Sequence, residues 1–400
     1  MRRSILLALI SAAVILSLSR GIRNTFGLFL SPMTLDLGIG REAFSTSIAI
    51  QSVVLGLAQP LAGIAADKYG AARVLVAGGA IYALGLIVMA GAESSWGLHI
   101  GAGLLVGIGG AAANYSVALG AIGRRVASSK RSMALGLASA GGSVGQFVLP
   151  PASLWLIEIQ GWSGALIGIA LLAAALMIPA AAALRGRASD APVATAGTLS
   201  LTLSQAVGEA LRHKGYWFLT MGFFVCGFQV TFIAVHLPPY LTDIGLTASI
   251  GATALALIGF FNIIGTFAFG YLGDRLSKKY LLSSLYFSRA LAVMFFLLFP
   301  KTDISVMIFA SVMGALWLAT IPLTSGLVAH IFGARYMATL FAIVYFSHQI
   351  GSFLGVWLGG YLFDATGSYD GVWIVTIILG FVAAALHLPI AEKPLRTQAA

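Results

Sequence analysis

Long apolar stretches recur along almost the whole length of this 400-residue chain. Each stretch holds about 20 or more residues, which is the length that an α-helix needs to cross the hydrocarbon core of a bilayer. Only 9% of the residues are charged, whereas soluble domains carry about 25%. A water-facing surface cannot be built from so few charges, so the stretches predict membrane-spanning helices.

Twelve apolar spans can be distinguished, six before a long polar segment and six after it. They cover residues 4–30, 44–65, 73–93, 97–122, 132–157, 162–184, 216–241, 247–273, 280–299, 304–330, 336–362 and 371–391. Within the polar segment, we predict a surface helix at residues 199–213. We therefore expect an all-α membrane protein of two pseudo-symmetric six-helix halves, 1–184 and 216–400, joined by a cytoplasmic linker at 185–215.

The basic residues predict the orientation, because cytoplasmic loops carry an excess of Lys and Arg. With both termini in the cytoplasm, 18 of the 23 basic residues fall on that side, and only Arg41 and Lys301 fall in outer loops. This asymmetry accounts for the net charge of +10, so nucleic acid is not needed as a partner. We expect a multi-pass protein of the cytoplasmic (inner) membrane, surrounded by lipid and monomeric.

A short motif follows spans 2 and 8, at positions 207 residues apart. Its residues are Gly63, Asp67, Lys68 and Arg73 in the first copy, and Gly270, Asp274 and Arg275 in the second. Glycine lets two helices approach closely, and an acidic residue at a helix end can meet a basic residue or a helix N-terminus. We interpret the two copies as a conformational latch on the cytoplasmic side, with a solvated turn as the alternative.

The loop after span 2 and the duplicated plan of six and six spans resemble the major facilitator superfamily over essentially the whole chain. A run in span 5 is similar to a signature of the monocarboxylate and oxalate/formate porter branch. Its matching residues are Ala134, Gly136, Ala138, Gly141 and Gly145. The resemblance implies transport by alternating access around a solute site between the two halves.

Two positions bear on how far the branch resemblance extends. Oxalate/formate carriers place a substrate lysine in a stretch of span 11 that is similar to Tyr345–Gln349, and His348 occupies that place here. Members of the branch also place a substrate-binding arginine in span 8, four residues before the glycine of the loop motif, where this chain has Thr266. The carboxylate clamp of the branch is therefore not carried over to span 8.

Three arginines lie within spans, namely Arg20, Arg23 and Arg289, whereas all 13 acidic residues lie in loops or near span ends. A charge inside a membrane is costly, so it is a candidate for function. Arg20 and Arg23 share one face of span 1, whose predicted middle is at 14–18. We predict that at least one of them binds the anionic group of the solute, Arg23 in particular, with snorkelling or packing against carbonyls as the alternative. Span 9 is peripheral in the family that the chain resembles, so for Arg289 we expect a structural role, with substrate binding as the alternative.

Other polar side chains within the spans complete the set of substrate-binding candidates. They are Asn114, Tyr115, Gln146, Gln229, Tyr345, His348 and Gln349. Amides suit a carboxylate or a hydroxyl because they both donate and accept hydrogen bonds, although hydrogen bonds between helices are the alternative role. Histidine titrates near neutral pH, so His348 and His236 are the candidates for proton coupling.

Together these features predict a secondary active transporter for a small organic anion, in particular a monocarboxylate, coupled to a proton or a counter-anion. An efflux pump for hydrophobic or drug-like solutes is the alternative. The sequence shows no Cys or His cluster with metal-ligand spacing and no pairing of a nucleophile with a base. It therefore predicts no enzymatic activity, no metal site and no cofactor.

Overall fold

The structure is a computed structural model that describes residues 3–114, 117–118, 121–122, 128–184, 202–333 and 336–395. All regular secondary structure in these ranges is helical. Eleven helices of the described part are long and apolar enough to cross a membrane. The prediction of an all-α membrane protein is therefore confirmed.

The spanning helices are numbered α1 to α12 in chain order, with α5 and α6 taken as the two parts of Ser128–Ala183 on either side of Gly161. The others are α1 (Arg3–Leu37), α2 (Arg41–Tyr69), α3 (Ala71–Ala90), α4 (Ser95–Ala112), α7 (Lys214–Asp243), α8 (Ala248–Gly273), α9 (Lys278–Leu298), α10 (Asp303–Phe332), α11 (Met337–Thr366) and α12 (Asp370–His387). Their bounds agree with the predicted spans to within a few residues, except that α1 ends at Leu37 rather than at residue 30 and α4 ends at Ala112 rather than at residue 122.

One long helix contains two of the predicted spans. Ala140–Ala183 is a single apolar run of 44 residues, which would extend about 66 Å at 1.5 Å per residue, or about twice the hydrocarbon thickness of a bilayer. At Gly161 the backbone has φ 68° and ψ 175°, a conformation that glycine adopts far more readily than other residues. This bend accounts for the difference between twelve predicted spans and the eleven helices of the described chain.

Two helices differ from their predicted spans in ways that bear on the site. Helix α1 continues to Leu37 rather than ending at residue 30, so its middle lies at Arg20 and not at 14–18. Helix α10 consists of two segments, Asp303–Leu316 and Thr320–Phe332, where one continuous span was predicted. Hydropathy locates the apolar part of a span, whereas the bounds of a helix depend on where its backbone hydrogen bonds begin and end.

The described part of the linker contains one surface helix, Leu203–Arg212, inside the predicted range 199–213. It begins with a capping box, in which the side chains of Thr202 and Gln205 each accept a hydrogen bond from the other residue's backbone N–H. Such a pair satisfies two donors that the first turn of a helix leaves unpaired. Residues 185–201 of the predicted linker lie outside the described ranges.

The chain divides into two compact units. The first contains Met1–Ala191, Phe232–Phe260 and Val356–Ser368, and the second contains Pro192–Thr231, Phe261–Gly355 and Tyr369–Ala400. The first unit thus combines α1 to α6 with one end each of α7, α8 and α11. The division into halves at 1–184 and 216–400 stays a prediction, because the compact units do not follow it along these three helices.

Glycines allow α1 and α5 to pack with their backbones in contact. A Cβ atom added at Gly145 would lie 1.9 Å from the carbonyl oxygen of Ser17, and one added at Gly141 would lie 2.6 Å from Cα of Ala13. Small residues of this kind are what lets membrane helices approach closely. Both glycines belong to the signature of span 5, so the motif places α5 directly against the helix that carries Arg20.

The same kind of contact joins α7 to α11 in the second unit. A Cβ atom added at Gly227 would lie 1.9 Å from the carbonyl oxygen of His348, and one added at Gly351 would lie 1.9 Å from a carbonyl oxygen of α7. These two glycines stand 206 residues after Gly21 and Gly145, the corresponding close pair in α1 and α5. The spacing agrees with the repeat of the loop motif, so the helix packing repeats together with the sequence.

Candidate functional site

Arg23 projects from the middle part of α1 and is held by a glutamine of α2. Its Nε donates to Oε1 of Gln51 at 3.0 Å, and Nε2 of Gln51 donates to the carbonyl oxygen of Ala102 in α4 at 2.7 Å. Gln51 is only 1% exposed, so packing fixes its amide as well. A guanidinium is planar and has five N–H donors, so holding Nε also sets the plane of the two Nη groups.

Arg20 lies one turn before Arg23, and both side chains are only partly buried. Tyr82 of α3 donates to the carbonyl oxygen of Ser19 at 3.2 Å, which ties α3 to the same turn of α1. Among the described residues, the acidic side chains lie in loops, in the linker helix or within a few residues of the ends of the spanning helices. The two positive charges therefore occupy the middle of a helix in a region where the described chain places no carboxylate.

Asn114 and Gln146 are buried at contacts between helices of the first unit. Nδ2 of Asn114 donates to Oε1 of Gln59 in α2 at 3.0 Å. Gln146 packs on Gly259 of α8, where an added Cβ atom would lie 2.8 Å from Cβ of Gln146. Tyr115 lies outside the residues that the structure describes. The roles of these three residues toward a solute stay predictions.

His348 of α11 is surrounded by aromatic rings in the second unit. Its ring stacks on Tyr345, with the centroids 5.5 Å apart and an angle of 4° between the planes, and the ring of Phe223 in α7 lies 5.0 Å away. Nδ1 of His348 is 3.4 Å from Oγ of Ser352. His348 is 8% exposed and its neighbour Gln349 only 2%. These contacts fix the orientation of the imidazole.

Gln229, another predicted substrate ligand, packs against α12 instead. It is fully buried, and its Nε2 donates to the carbonyl oxygen of Thr376 at 3.0 Å. A Cβ atom added at Gly380 would lie 2.9 Å from the same nitrogen. This is the hydrogen-bonding role between helices that the sequence left open, so Gln229 is not included in the proposed site.

Arg289 is fully buried and binds the interruption in α10. Its Nε donates to the carbonyl oxygen of Leu316 at 3.0 Å, and Nη2 donates to the carbonyl oxygens of Leu316 and Trp317. Nη1 donates to Sγ of Cys226 at 3.4 Å. The last carbonyls of a helix have no partner within it, and here a side chain of α9 satisfies them. These contacts agree with the structural role expected for Arg289.

His236 lies near the other end of α7 from the linker and joins three helices of the first unit. Its Nε2 is 2.8 Å from the carbonyl oxygen of Val356 in α11 and 3.4 Å from Oγ of Ser45 in α2. Its side chain is fully buried. The structure thus places it near helix ends rather than at mid-span, and its role in proton coupling stays a prediction.

The loop motifs after α2 and α8 are open to their surroundings. A Cβ atom added at Gly63 or Gly270 would meet no atom of the described residues within 4 Å. The described residues thus show no close approach of helices at these two glycines, and the predicted approach stays a prediction. The charged residues of the motifs are exposed, namely Asp67, Arg73, Asp274 and Arg275. Their role as a latch stays a prediction.

Three residues position functional or structural groups in a way that the sequence does not reveal. Gln51 holds Arg23. Oδ1 of Asn262 accepts a hydrogen bond from the N–H of Leu318 in the interruption of α10, at 3.1 Å. Sγ of Cys226 accepts a hydrogen bond from Nη1 of Arg289 at 3.4 Å. A polar residue within an apolar span is a visible signal, but its partner lies on another helix and depends on tertiary packing.

Comparison with known proteins places the chain among membrane transporters. The Major Facilitator Superfamily model matches residues 9–355. Monocarboxylate transporter 12 of Rattus norvegicus is 27% identical, over 88% of this chain and 80% of its own length. The oxalate:formate antiporter of Oxalobacter formigenes is 23% identical, over 94% of this chain and 89% of its own length. A bacterial homologue of the human lysosomal transporter Spinster has a TM-score of 0.78 at 16% identity, over 98% of both chains.

The family match covers far more than half of the chain, and the likeness to a solved transporter extends over almost all of it. The resemblance inferred from the loop motif is thus confirmed. The members of this family, including these relatives, are transporters and not enzymes. With its long apolar helices, the protein is a multi-pass membrane transporter, and the chain belongs to the major facilitator superfamily.

Proposed function

We propose that the protein is a secondary active transporter that moves a small organic anion, in particular a monocarboxylate, across the cytoplasmic membrane by alternating access. The observation that carries the proposal is the guanidinium of Arg23, which Gln51 holds through Nε at 3.0 Å near the middle of α1. Arg20 adds a second positive charge one turn away. A planar guanidinium of fixed orientation suits a carboxylate, which it can bind through two parallel hydrogen bonds.

The charge around α1 favours an anion over the solutes of the alternative, a pump for hydrophobic or drug-like compounds. A cationic drug entering this region would meet two like charges, since the described acidic residues lie away from the middle of the helices. The names of two relatives, a monocarboxylate transporter and an oxalate:formate antiporter, support the same class of solute.

The anion is assigned to α1 because α8 lacks the arginine of the related branch. Thr266 stands at that position, and its Oγ1 donates to Oδ1 of Asn262 at 3.2 Å. A hydroxyl contributes no charge to an anion site. The branch binds the carboxylate with an arginine of span 8, in the second half of the sequence. We expect this protein to bind it with an arginine of α1, in the first half.

Coupling is assigned to His348, with exchange against a counter-anion as the alternative. The imidazole is held by Tyr345 and Phe223, and histidine is the side chain suited to taking up and releasing a proton near neutral pH. A proton carried with the anion would neutralise its charge during the crossing. Tyr345 and Gln349, on the same helix as His348, stay candidates for hydrogen bonds to the solute.

The test is uptake of labelled monocarboxylates into proteoliposomes by three variants. Arg23→Gln removes the charge, Gln51→Leu keeps the arginine but removes its support, and Arg212→Gln is the matched control on the exposed linker helix. A hydrogen bond to a charged group contributes about 1.5–3 kcal/mol, and each 1.4 kcal/mol is about tenfold in affinity. We expect a loss of about 10- to 100-fold for Arg23→Gln and a smaller one for Gln51→Leu.

Normal uptake by Arg23→Gln, at equal protein levels, would overturn the assignment of the anion to α1. If no member of a carboxylate panel is transported, and none competes for binding, the pump for hydrophobic solutes replaces the proposed function. Acceleration by an inward proton gradient supports coupling through a proton. Acceleration only by an anion loaded inside the vesicles assigns exchange instead.

A further inference from the structure

We propose that Arg41 and Asp364 form an outer latch, which holds the ends of α2, α7 and α11 together and closes the side of the protein opposite the basic loops. All of its residues belong to the first compact unit. The inference rests on the proposed transport function, because alternating access requires a contact that closes one side and later opens. It is separate from the loop motif after α2, which lies at the other end of that helix.

The first part of the outer latch is an ion pair between α2 and the end of α7. Nη1 and Nη2 of Arg41 lie 2.6 and 2.7 Å from the two carboxylate oxygens of Asp243. The guanidinium also lies over the ring of Phe363 in α11, 3.7 Å from its centroid. A bidentate pair of this kind is stronger and more directional than a single contact. One side chain of α2 thus contacts both other helices.

The second part is a helix cap that comes from a different helix. The carboxylate of Asp364 in α11 accepts hydrogen bonds from the backbone N–H of Arg41 at 3.0 Å and of Glu42 at 2.8 Å. These are the first residues of α2, and the residue before them, Gly40, provides no side-chain cap. Helix N-termini carry unpaired donors and a partial positive charge. The carboxylate of α11 therefore serves as the missing cap of α2.

The backbone at this place is shaped for the contact. A Cβ atom added at Gly40 would lie 2.3 Å from Oδ2 of Asp364, so another residue at that position would push the carboxylate away. Nε1 of Trp357 in α11 donates to Oε1 of Glu42 at 3.1 Å. One turn further into α2, Ser45 lies below the cap and contacts His236. The contact between α2, α7 and α11 thus includes both the cap and the buried side chains one turn beneath it.

The outer latch is built so that it can open. The side chains of the ion pair are 13% and 31% exposed, so water can replace each partner when the helices separate. Separating an ion pair that water can reach costs little free energy, because water then hydrates both charges, whereas separating a fully buried pair costs much more. The exposed loop motif at the other end of α2 contrasts with this contact, since a Cβ atom added at Gly63 would meet nothing within 4 Å among the described residues.

The test measures access to a cysteine placed beneath the latch. Ser45→Cys changes one atom at a fully buried position, and the native Cys226 is itself buried. Intact cells are treated with a membrane-impermeant maleimide, and the labelling rate is compared between variants. We expect Asp364→Ala to raise the rate at least about tenfold, which corresponds to about 1.4 kcal/mol. Arg41→Lys keeps the charge without the bidentate fork and should give an intermediate rate.

Asp303→Asn is the matched control, because this carboxylate lies in the first turn of α10 and is exposed. Labelling after denaturation must be equal in all variants, which excludes differences in amount. The proposal is overturned if Asp364→Ala and Arg41→Lys label at the rate of the control. The labelling assay needs no solute, so it tests the latch separately from the proposed function. Faster labelling supports the latch whether or not a monocarboxylate is transported. Failure to transport any monocarboxylate would overturn the proposed function and not the latch.

Discussion

Replacing Arg289 by methionine should destabilise the second compact unit without touching the proposed anion site. The change keeps a side chain of similar length but removes the four hydrogen bonds that end at Leu316, Trp317 and Cys226. Two of the acceptors are the carbonyls at the interruption of α10, where the helical hydrogen bonding is broken. Because Arg289 is 0% exposed, water cannot take its place.

The size of the effect can be worked out from two independent arguments. Hydrogen bonds between membrane helices average about 0.6 kcal/mol, so four of them give about 2.4 kcal/mol. Leaving a buried carbonyl without a donor costs about 1–3 kcal/mol, so two of them give about 2–6 kcal/mol. The first value, about 2.4 kcal/mol, lies near the lower end of the second range. We therefore expect the free energy of unfolding to fall by about 2–4 kcal/mol.

The assay is equilibrium unfolding of the purified protein in mixed micelles with an increasing fraction of SDS, followed by tryptophan fluorescence. Arg275→Met is the matched control, since this arginine is exposed and lies over the ring of Tyr271 at 4.2 Å. Surface substitutions usually change stability by less than about 0.5 kcal/mol. A loss below about 1 kcal/mol for Arg289→Met would refute the argument that this side chain supports the interruption in α10.

Two further changes test the packing of α5 and the coupling residue. Gly145→Val should prevent folding, because its Cβ would lie 1.9 Å from the carbonyl oxygen of Ser17. Size-exclusion chromatography should then show loss of the monodisperse peak. Gly208→Val is the unaffected control, because a Cβ atom added there meets no atom of the described residues within 4 Å. His348→Asn keeps a polar side chain that does not titrate, so the acceleration of uptake by a proton gradient should disappear in proteoliposomes. An unchanged response to the gradient would assign coupling to another group.

The class of protein and most of its helices are determined by properties that are local in the chain. Hydropathy locates a span because some 20 consecutive residues must be apolar to cross a bilayer, whatever packs against them. The loop motif and the glycines of span 5 are similarly visible, and they indicate the superfamily. Arg20 and Arg23 could be selected for the same reason, since a charge within an apolar run is conspicuous without any structure.

Only the tertiary structure decides which partner each polar group has. Gln51 and Gln229 are alike in the sequence, yet one holds Arg23 and the other binds the backbone of α12. The interruption in α10 is invisible to hydropathy because Arg289 and Asn262 stabilise it from two other helices. Hydrogen bonds and ion pairs join residues far apart in the chain, so their geometry depends on how the helices pack and not on the pattern along any one of them.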